Sequence, residues 1–540
     1  MSTGYSIPRA ALPMDLFLDA NEGALCADHA DRRYPDTRAL TRMLSELWLV
    51  PEDQLLVTAG GDDAIERVLR FALRERREAL VPVPTFEMIE RYVAGAGGRL
   101  VSVPYTEDGY PLQGILDKCS GSTGIIVVVS PNNPNGVVIR AEQWERLAAA
   151  TAGIPKLVDL AYIEFADESI EERIRACPDA ILVRTLSKAW GMAGLRIGAA
   201  IASEGIIRTL RSIGAPYPVS SASARLACER LVRSSPLTDV VRSERSRLTL
   251  RLRELGARVQ TSQANFVLAE VSDPLWLRDA CASLGIAVRA FPGKPLLERS
   301  VRISCPGEER AFQRLEAALA CALAPEAILF DMDGVLADVS RSYRVAIQET
   351  VRAFGGSVDA QTVTRAKQAG SANDDWELSR RLLARQGIDV PLEEVTSCFE
   401  RVYNERGLYR NEELCVDRLR LQQWSLVRPL GIVTGRPRRD AERFLRQHDI
   451  QNCFRQVITR EDAPLKPDPA PVMLAMQRLG VRTAWLLGDT PDDIVAARRS
   501  GVLPLGVCAP GEDSLANAES LRLAGAARIW SSVSELEGVL

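Results

Sequence analysis

Short apolar, β-branched runs alternate with longer amphipathic stretches along almost the whole chain. In the first part of the chain the candidate strands are residues 55–58, 79–83, 125–129, 157–158 and 180–183. Most of them end in a polar or Gly/Pro-bearing loop, which is where open parallel sheets place their ligands. This alternation predicts an α/β fold with a mostly parallel sheet.

The pattern changes after about residue 225, where a long helical stretch precedes three short apolar runs at residues 265–268, 286–289 and 301–304. This stretch predicts a smaller α+β domain. A helix over about residues 308–323 then ends at Ala324-Pro325. The first part, residues 1–324, is therefore predicted to have a large domain at about 35–224. Its small domain combines the N-terminal segment with about 225–324.

A second α/β pattern begins at residues 327–331 and returns at 430–433, 484–487 and 503–507. In between, the apolar positions follow a helical period, as in Ile347, Val351 and Phe354 at i, i+4 and i+7. We therefore predict a Rossmann-like α/β core over residues 326–540 with an inserted α-helical cap at about 340–428.

Composition narrows the possible functions. The 540 residues suggest three or four domains, and 67 Lys+Arg against 71 Asp+Glu give a net charge of −4, which offers no electrostatic basis for binding nucleic acid. The two histidines, His29 and His448, argue against a Ser-His-Asp triad and histidine-rich metal sites.

The expected compartment is the cytoplasm, with no membrane attachment. The 11 cysteines include no Cys-x-x-Cys pair, a usage typical of reduced thiols. The N-terminus lacks the apolar core of a signal peptide, and the longest apolar runs have only the length of a strand.

Lys188 is the most informative residue of the first part. It follows a strand-like run and has Thr185, Ser187 and Arg196 close by in sequence. This combination supplies an amine able to trap a carbonyl group and three groups suited to a phosphate. A lysine after a serine is more often a solvated helix start, so the interpretation depends on the rest of the chain.

The other parts of a pyridoxal-phosphate site follow in a consistent order. The candidates are an anion for the ring nitrogen, donors for the ring oxygen, a stacking ring and a helix N-terminus for the phosphate. They are, in the same order, Asp159; Tyr162 and Asn133; Phe86; and Gly60, Gly61 and Asp62. Each fragment alone has an ordinary structural interpretation as a turn, a helix cap or a core residue.

Residues 15–310 resemble fold-type I aminotransferases of the histidinol-phosphate aminotransferase group. The motifs that carry the resemblance include Leu18-Asp19-Ala20-Asn21-Glu22, Arg33-Tyr34-Pro35, Ser130-Pro131-Asn132-Asn133-Pro134, Thr185-Leu186-Ser187-Lys188 and Val301-Arg302-Ile303. The resemblance implies that Lys188 bonds pyridoxal phosphate and moves a proton during catalysis. It implies that Thr185, Ser187, Arg196 and Asp62 bind the cofactor phosphate.

The resemblance also implies a homodimer formed through the aminotransferase domain, because Tyr34 would reach the cofactor of the partner subunit. Arg289 and Arg302 would hold the acidic ends of the substrates, and Asn21 is counted among the substrate-binding residues; structural salt bridges are the alternative for the two arginines. Relatives with this framework use other amino acids or decarboxylate threonine phosphate, so substrate identity stays open.

A second set of polar residues follows the strands of the C-terminal part. Asp331-Met332-Asp333-Gly334 comes directly after a strand, and Thr434, Lys466 and the Asp489-to-Asp493 stretch follow later. Two carboxylates two residues apart can divide labour between attack on phosphorus and proton transfer. Taken alone, Asp-x-Asp-Gly is more often a turn or a calcium loop.

The four elements together resemble haloacid-dehalogenase-like phosphohydrolases. The resemblance implies that Asp331 is the nucleophile, that Asp333 is the acid and base, and that Thr434 and Lys466 hold the phosphoryl oxygens. It implies a Mg²⁺ site made by Asp331, Asp489 and the Asp333 carbonyl with support from Asp493. The cap stretch 373–377 either reaches the substrate or forms a helix N-cap with a buried tryptophan.

Together the two parts predict a bifunctional enzyme acting on small molecules. The aminotransferase would convert glutamate and imidazole-acetol phosphate to 2-oxoglutarate and histidinol phosphate, and the phosphatase would dephosphorylate that product. The alternatives are an aminotransferase for another amino acid, a threonine-phosphate decarboxylase, a phosphatase of the phosphoglycolate type, and a C-terminal part that only senses metabolites or forms oligomers.

Overall fold

The computed structural model describes residues 34–233, 236–370, 373–511 and 514–539. The chain forms two compact units, Met1–Val271 with Gly293–Phe312, and Ser272–Pro292 with Gln313–Leu540. The units interleave along the chain, since residues 272–292 pack with the C-terminal part although they precede Ala324-Pro325.

The first unit is built on a seven-stranded sheet with the order β1-β7-β6-β5-β4-β2-β3. All neighbouring strands are parallel except that β7 runs antiparallel to both β1 and β6. The strands are β1 (Leu55–Ala59), β2 (Glu78–Val83), β3 (Arg99–Pro104), β4 (Thr123–Val129), β5 (Lys156–Asp159), β6 (Ala180–Thr185) and β7 (Ile197–Ile201). The five predicted strands lie within β1, β2, β4, β5 and β6.

Both faces of this sheet are covered, which explains why its central strands are apolar throughout. Along β4, Ile126 and Val128 join one hydrophobic cluster, and Ile125 and Val127 join another on the opposite face. A strand buried on both sides has no polar face, so its sequence shows a continuous apolar run instead of an alternation.

Nine helices of the described residues accompany the first unit's strands. They are α1 (Arg38–Trp48), α2 (Gly60–Ala72), α3 (Met88–Gly95), α4 (Leu112–Lys118), α5 (Ala141–Ala150), α6 (Glu171–Arg175), α7 (Glu204–Ile213), α8 (Ser221–Arg233) and α9 (Thr238–Glu254). A smaller antiparallel sheet follows, in which β9 (Phe266–Glu270) pairs with β8 (Arg258–Val259) and β11 (Ser300–Ser304). The prediction of a strand at residues 286–289 is wrong for residues 286–288. The strand found there, β10, is short and covers only Arg289–Ala290.

The second unit is built on a six-stranded parallel sheet with the order β16-β15-β12-β17-β18-β19. Its strands are β12 (Ala327–Phe330), β15 (Leu430–Val433), β16 (Phe454–Ile458), β17 (Ala484–Gly488), β18 (Leu503–Val507) and β19 (Arg528–Trp530). Four of these strands coincide with predicted runs, and β16 and β19 were not predicted.

The helices of the second unit fall into two groups, those of the predicted insertion and those outside it. The insertion contains α12 (Tyr343–Ala353), α13 (Ala360–Gln368), α14 (Asp375–Ala384), α15 (Leu392–Glu405), α16 (Arg418–Val427) and the short pair β13 (Ala337–Asp338) and β14 (Glu413–Leu414). The remaining helices are α10 (Pro274–Ser283), α11 (Glu309–Leu323), α17 (Arg438–Gln447), α18 (Ala470–Leu479), α19 (Pro491–Arg499) and α20 (Ser514–Ala524).

Two tryptophans explain why α10 and the end of α11 belong to the second unit. The Trp276 and Trp485 rings meet edge to face with centroids 5.2 Å apart. Trp485 Nε1 donates to the Cys321 carbonyl at 2.6 Å, and Trp276 Nε1 donates to the Ala322 carbonyl at 3.0 Å. Both indoles are buried with their N–H groups satisfied, which is the favourable way to bury this side chain.

Within the described residues, no helix combines the length and apolar character needed to cross a bilayer. The ten cysteines in this part of the chain are free thiols.

Candidate active sites

Lys188 lies in the loop that follows β6, at the carboxyl edge of the first unit's sheet. The Thr185 hydroxyl shapes the start of this loop by donating to the Ile197 carbonyl at 3.0 Å and accepting the Ser187 N–H at 3.1 Å. Ser187 Oγ lies 2.9 Å from the same hydroxyl. The predicted phosphate-binding hydroxyls are therefore side by side at the strand end.

The Lys188 amine lies 5.6 Å from the centroid of the Tyr162 ring. Desolvation by the surrounding protein and the positive charge of Arg302 lower the pKa of this amine, and Asp159 and Asp62 oppose the shift. The side chain still reaches solvent. A lysine with a lowered pKa that ligands can reach is suited to react with a carbonyl group.

Asp159 ends β5 and is almost fully buried. Its Oδ1 accepts the Ala161 N–H at 3.0 Å. Burial raises the pKa of this carboxyl to about 6, and the nearby Asp62 charge adds to the effect. A buried carboxylate without enough positive charge around it suits the protonated ring nitrogen of pyridoxal phosphate, so the residue fits its predicted partner.

The N-terminus of α2 and Arg196 form the candidate phosphate site. Arg196 Nη2 lies 2.7 Å from Asp62 Oδ2. Gly60 has φ +78°, and a Cβ at this position would come within 2.6 Å of Arg196 Nη2. The absence of a side chain at Gly60 therefore lets the guanidinium lie against the first turn of the helix, where free N–H groups favour an anion.

Gly198 connects this site to the loop of Lys188. It pairs with Thr185 across β6 and β7, and a Cβ on it would lie 2.4 Å from the backbone of Gly60. The hydroxyl pair and the helix N-terminus are thus neighbours, as the sequence predicts.

Tyr92 on α3 is a neighbour of this site that the sequence did not reveal. Burial and the Asp62 and Glu66 charges raise the pKa of its hydroxyl, which hydrogen-bonds to Asp62. No motif surrounds Tyr92, and a tyrosine beside the buried Ile89 and Val93 in a short helix has the pattern of an ordinary core residue.

Arg302 and Asn133 contact each other in this site, and the Arg302 charge is near enough to lower the pKa of Lys188. Arg302 Nη1 donates a hydrogen bond to Asn133 Oδ1, and the guanidinium lies 5.2 Å from the Phe266 ring centroid. Phe266 also packs edge-on against Tyr162 at 5.2 Å. Burial raises the pKa of the Tyr162 hydroxyl to about 12, so it is a protonated donor at neutral pH.

The other residues predicted for the first site make their recorded contacts away from Lys188. Phe86 is half-buried against the core beside α2 and α3. Tyr34 is 53% exposed and stacks on Tyr217 with centroids 4.5 Å apart. Arg289 belongs to the second unit, where its guanidinium lies 5.3 Å from the Phe291 ring. Asn21 lies outside the described residues.

In the second unit, Lys466 lies between two carboxylates, that of Asp331 directly after β12 and that of Asp493 in the first turn of α19. Its Nζ lies 2.7 Å from Asp331 Oδ1 and 2.5 Å from Asp493 Oδ1, and it donates to the Val433 carbonyl at 2.9 Å. The pKa of the lysine is raised because these two carboxylates outweigh the effect of its burial. Lys466 is therefore a buried cation that holds the predicted nucleophile.

Asp331, Asp489 and Asp493 each place a carboxylate oxygen within 4.8 Å of the other two. Burial raises the pKa of Asp331 to about 7, Lys466 opposes this shift, and the charges of Asp493 and Asp333 reinforce it. Oxygen ligands in a buried negative cluster are the donor set that Mg²⁺ prefers, so these residues fit the expected metal. The Asp333 carboxylate does not belong to this trio.

Two glycines allow the carboxylates to approach. A Cβ on Gly334, which has φ +76°, would lie 2.1 Å from Asp489 Oδ2. A Cβ on Gly488 would lie 2.2 Å from Asp493 Cβ. Asp493 also accepts the Thr490 N–H and hydroxyl at 3.0 and 2.7 Å, which fixes its rotamer.

Thr434 and Asp333 are linked through Arg436, which the sequence did not single out. Thr434 is buried at the end of β15, and its Oγ1 accepts the Arg436 N–H at 3.1 Å. Arg436 Nε lies 2.6 Å from Asp333 Oδ1, and Nη1 lies 2.8 Å from Glu412 Oε2. The position of Arg436, two residues after Thr434, could have identified it from the sequence. Nothing in the sequence around Glu412 could have done so.

The cap stretch 373–377 has a structural role. Asp374 caps α14 by accepting the Trp376 and Glu377 N–H groups, and its Oδ2 lies 3.0 Å from Arg460 Nη2. Trp376 is half-buried, with the Arg460 guanidinium 3.7 Å from its ring centroid. Asn373 Nδ2 lies 3.4 Å from the Lys466 carbonyl, so the stretch also borders the candidate site.

Comparison with known proteins decides the family of the first part. Residues 15–319 match the model of aminotransferase class I and II, which is more than half of the chain. A histidinol-phosphate aminotransferase from Stenotrophomonas maltophilia is 35% identical over 328 residues, covering 57% of this chain and 90% of that protein. The chain belongs to this aminotransferase family.

A second histidinol-phosphate aminotransferase, from Ruminiclostridium cellulolyticum, is 30% identical and covers 55% of this chain and 90% of its own length. A crystal structure of the Sinorhizobium meliloti histidinol-phosphate aminotransferase in complex with pyridoxal-5'-phosphate is 25% identical, with a TM-score of 0.49, and covers 54% of this chain and 83% of that one.

The C-terminal part carries a different domain. Residues 328–507 match the model of haloacid dehalogenase-like hydrolase. The chain is also similar, over 198 residues, to an imidazoleglycerol-phosphate dehydratase from Phytophthora nicotianae. The two are 43% identical over this stretch, which is 34% of this chain, and the chain spans 44% of that relative's length. The aminotransferase thus continues into a hydrolase domain, and the protein combines the two enzyme classes.

Proposed function

We propose that this protein catalyses two consecutive steps of histidine biosynthesis. The first is amino transfer from glutamate to imidazole-acetol phosphate, which gives 2-oxoglutarate and histidinol phosphate. The second is Mg²⁺-dependent hydrolysis of histidinol phosphate to histidinol and phosphate. The support that carries the proposal is the joining of a hydrolase domain to an aminotransferase that is 35% identical to a histidinol-phosphate aminotransferase.

Pyridoxal phosphate, when bound, supplies the carbonyl carbon that takes the amino group and the ring that accepts the electron pair. Lys188 would hold the cofactor through that carbonyl group and would move the proton between the two reacting carbon atoms. The Asp159 carboxylate would keep the ring nitrogen protonated, and the Tyr162 hydroxyl and the Asn133 amide would hydrogen-bond to the ring oxygen. The lowered pKa of Lys188 keeps more of its amine uncharged near neutral pH, as a base requires.

Arg196, Thr185, Ser187 and the α2 N-terminus would bind the cofactor phosphate. Arg302 would bind a carboxylate or phosphate of the substrate, since its guanidinium is held by Asn133 and the Phe266 face beside Lys188. We further propose that Phe86 stacks on the ring and that Tyr34 acts in the site of a partner subunit of a homodimer. Arg289 and Asn21 keep the substrate-binding roles that the resemblance implies.

In the hydrolase domain, Asp331 attacks phosphorus and Asp333 gives a proton to the departing alcohol. Water then attacks the phosphorus of the aspartyl phosphate and loses its proton to Asp333, which releases phosphate and restores Asp331. Thr434 and Lys466 would hold the phosphoryl oxygens. Mg²⁺ at Asp331, Asp489 and Asp493, with the Asp333 carbonyl, would neutralise charge between the carboxylates and the substrate.

The proposal is tested by supplying purified protein with pyridoxal phosphate, Mg²⁺ and histidinol phosphate, with and without 2-oxoglutarate. We expect glutamate to form only with 2-oxoglutarate and phosphate to be released in both reactions. Glutamate without phosphate would assign the hydrolase to another monoester. If neither glutamate nor phosphate forms, the substrate proposed for both domains is wrong.

A further inference from the structure

Arg436 is the most completely buried arginine of the second unit's candidate site, with 1% of its surface exposed. Its Nε lies 2.6 Å from Asp333 Oδ1 and its Nη1 lies 2.8 Å from Glu412 Oε2. The two carboxylates are therefore connected through the two edges of one guanidinium.

The surroundings of Arg436 leave it little freedom to move. Its guanidinium carbon lies 4.7 Å from the Tyr343 ring centroid and 5.5 Å from that of Phe444. Glu412 is also buried, and its Oε1 accepts the Tyr403 hydroxyl at 2.8 Å. Because Tyr343, Phe444 and Glu412 are themselves buried, the guanidinium is held in one position beside Asp333.

The guanidinium contacts a carboxylate that is partly exposed to solvent. The Asp333 side chain is 21% exposed, and it follows the nucleophile by two residues. A general acid must place its proton within hydrogen-bond reach of the leaving oxygen, and a displacement of about 1 Å can cost roughly 10²-fold in rate.

We propose that Arg436, held by Glu412, is a positioning residue that orients Asp333 toward the leaving-group oxygen. This inference rests on the proposed phosphatase function. In this role Arg436 acts through Asp333 and does not contact the transferring phosphoryl group. Thr434 and Lys466 are the residues proposed to hold that group. Its contribution is therefore specific to leaving groups that need a proton to depart.

Leaving-group dependence separates positioning from a purely structural role. A nitrophenolate departs as an anion, whereas an alkoxide needs a proton from Asp333. The parameter kcat/KM reports the steps up to departure of the alcohol, so it isolates this proton transfer from later hydrolysis of the aspartyl phosphate. The experiment measures kcat/KM for 4-nitrophenyl phosphate and for an alkyl phosphate that the wild-type protein hydrolyses.

We expect Arg436→Met to lower kcat/KM for the alkyl ester by roughly 30- to 100-fold and for the aryl ester by less than about 5-fold, since a general acid contributes about 10²- to 10⁴-fold. Asp333→Asn should show the same selectivity. Arg443→Met is the matched control, because Arg443 is a neighbouring partly buried arginine that pairs with Asp440 and stacks on Tyr409. This control variant should change kcat/KM for the two esters equally and only slightly.

Removing Arg436 leaves Glu412 buried without its cation, so the single variant is accompanied by Arg436→Met/Glu412→Gln, which removes both charges. Equal losses for the two esters in a variant that melts like the wild type would overturn the inference. A wild-type protein that hydrolyses neither ester with Mg²⁺ would instead overturn the proposed phosphatase function, so the two failures are distinguishable.

Discussion

Lys466 Nζ lies 2.7 Å from Asp331 Oδ1 at the end of β12, and both side chains are almost completely buried. The positive charge of this lysine compensates the two negative charges of Asp331 and Asp493, which are both buried. Because a buried carboxylate without a partner is costly, this pair ties the stability of the hydrolase domain to the residues proposed for its chemistry.

Replacing Lys466 with methionine should lower the unfolding free energy by about 3–5 kcal/mol, because it leaves uncompensated buried carboxylates. Mg²⁺ should then raise the melting temperature of the variant more than that of the wild type, since the metal supplies the missing positive charge. Differential scanning calorimetry with and without Mg²⁺ measures both effects. Lys118→Met, at an exposed lysine of the first unit, is the control. An equal Mg²⁺ shift of the melting temperature in all three proteins would contradict the explanation.

Removing divalent cations should separate the two proposed activities. With EDTA we expect phosphate release to stop and glutamate formation to continue at an unchanged rate, because the three-carboxylate cluster lies in the hydrolase domain and Lys188 does not. Adding Mg²⁺ back should restore phosphate release. Loss of transamination in EDTA would be inconsistent with independent sites.

Lys188→Ala should abolish transamination and covalent retention of pyridoxal phosphate. Borohydride treatment of the wild type should fix the cofactor on a peptide containing Lys188, which mass spectrometry would detect. Lys294→Ala is the matched control at an exposed lysine of the same unit, 3.9 Å from Glu87. Cofactor fixed on another lysine in the wild type would reject the assignment.

Asp159 should make the stability of the cofactor-free protein depend on pH. Its folded-state pKa of about 6 lies above the ordinary value of 3.8, so the folded protein binds this proton more tightly than the unfolded chain does. The resulting stability is present below about pH 4 and is lost as pH rises toward 6. The loss is on the order of 3 kcal/mol, at about 1.4 kcal/mol for each pKa unit.

Asp159→Asn should remove this pH dependence, raise the melting temperature of the cofactor-free protein at pH 7 and weaken cofactor binding. Thermal melts from pH 4 to 8 and a pyridoxal-phosphate titration test these effects. A variant that loses stability at pH 7 while binding the cofactor normally would show that Asp159 has a structural role instead.

Gly488→Ala should impair phosphate release without affecting transamination. The new Cβ would lie 2.2 Å from Asp493 Cβ, so Asp493 must move away from Lys466 and the carboxylate cluster. We expect a loss of at least about 10-fold in Mg²⁺-dependent activity, since a displacement of about 1 Å can cost roughly 10²-fold. Gly538→Ala, where no atom lies within 4 Å of the new Cβ, is the control; similar activities in both variants would refute the steric argument.

Much of the architecture followed from the sequence. The fold class, the family resemblances and the presence of two enzyme domains are confirmed. The strongest strand predictions were those buried on both faces, such as β4 and β6, because their apolar runs are continuous. β16 was missed because Arg455 and Gln456 interrupt its apolar pattern, and residues 286–288 gave a strand-like run that the fold does not use.

The sequence by itself determined which groups stand at the ends of the strands, because parallel strands bring their carboxyl ends to one edge wherever the sheet forms. Lys188, Asp159 and Asp331 could be proposed on that basis. Lys466 was proposed from the family resemblance alone, because β16, the strand that precedes it, was not predicted. Only the tertiary structure decided which distant side chains contact the residues of the two sites. Arg436 meets Asp333 across 103 residues and Glu412 across 24, and Tyr92 meets Asp62 from another helix. Such partners are chosen by packing between elements, which leaves no local pattern in the chain.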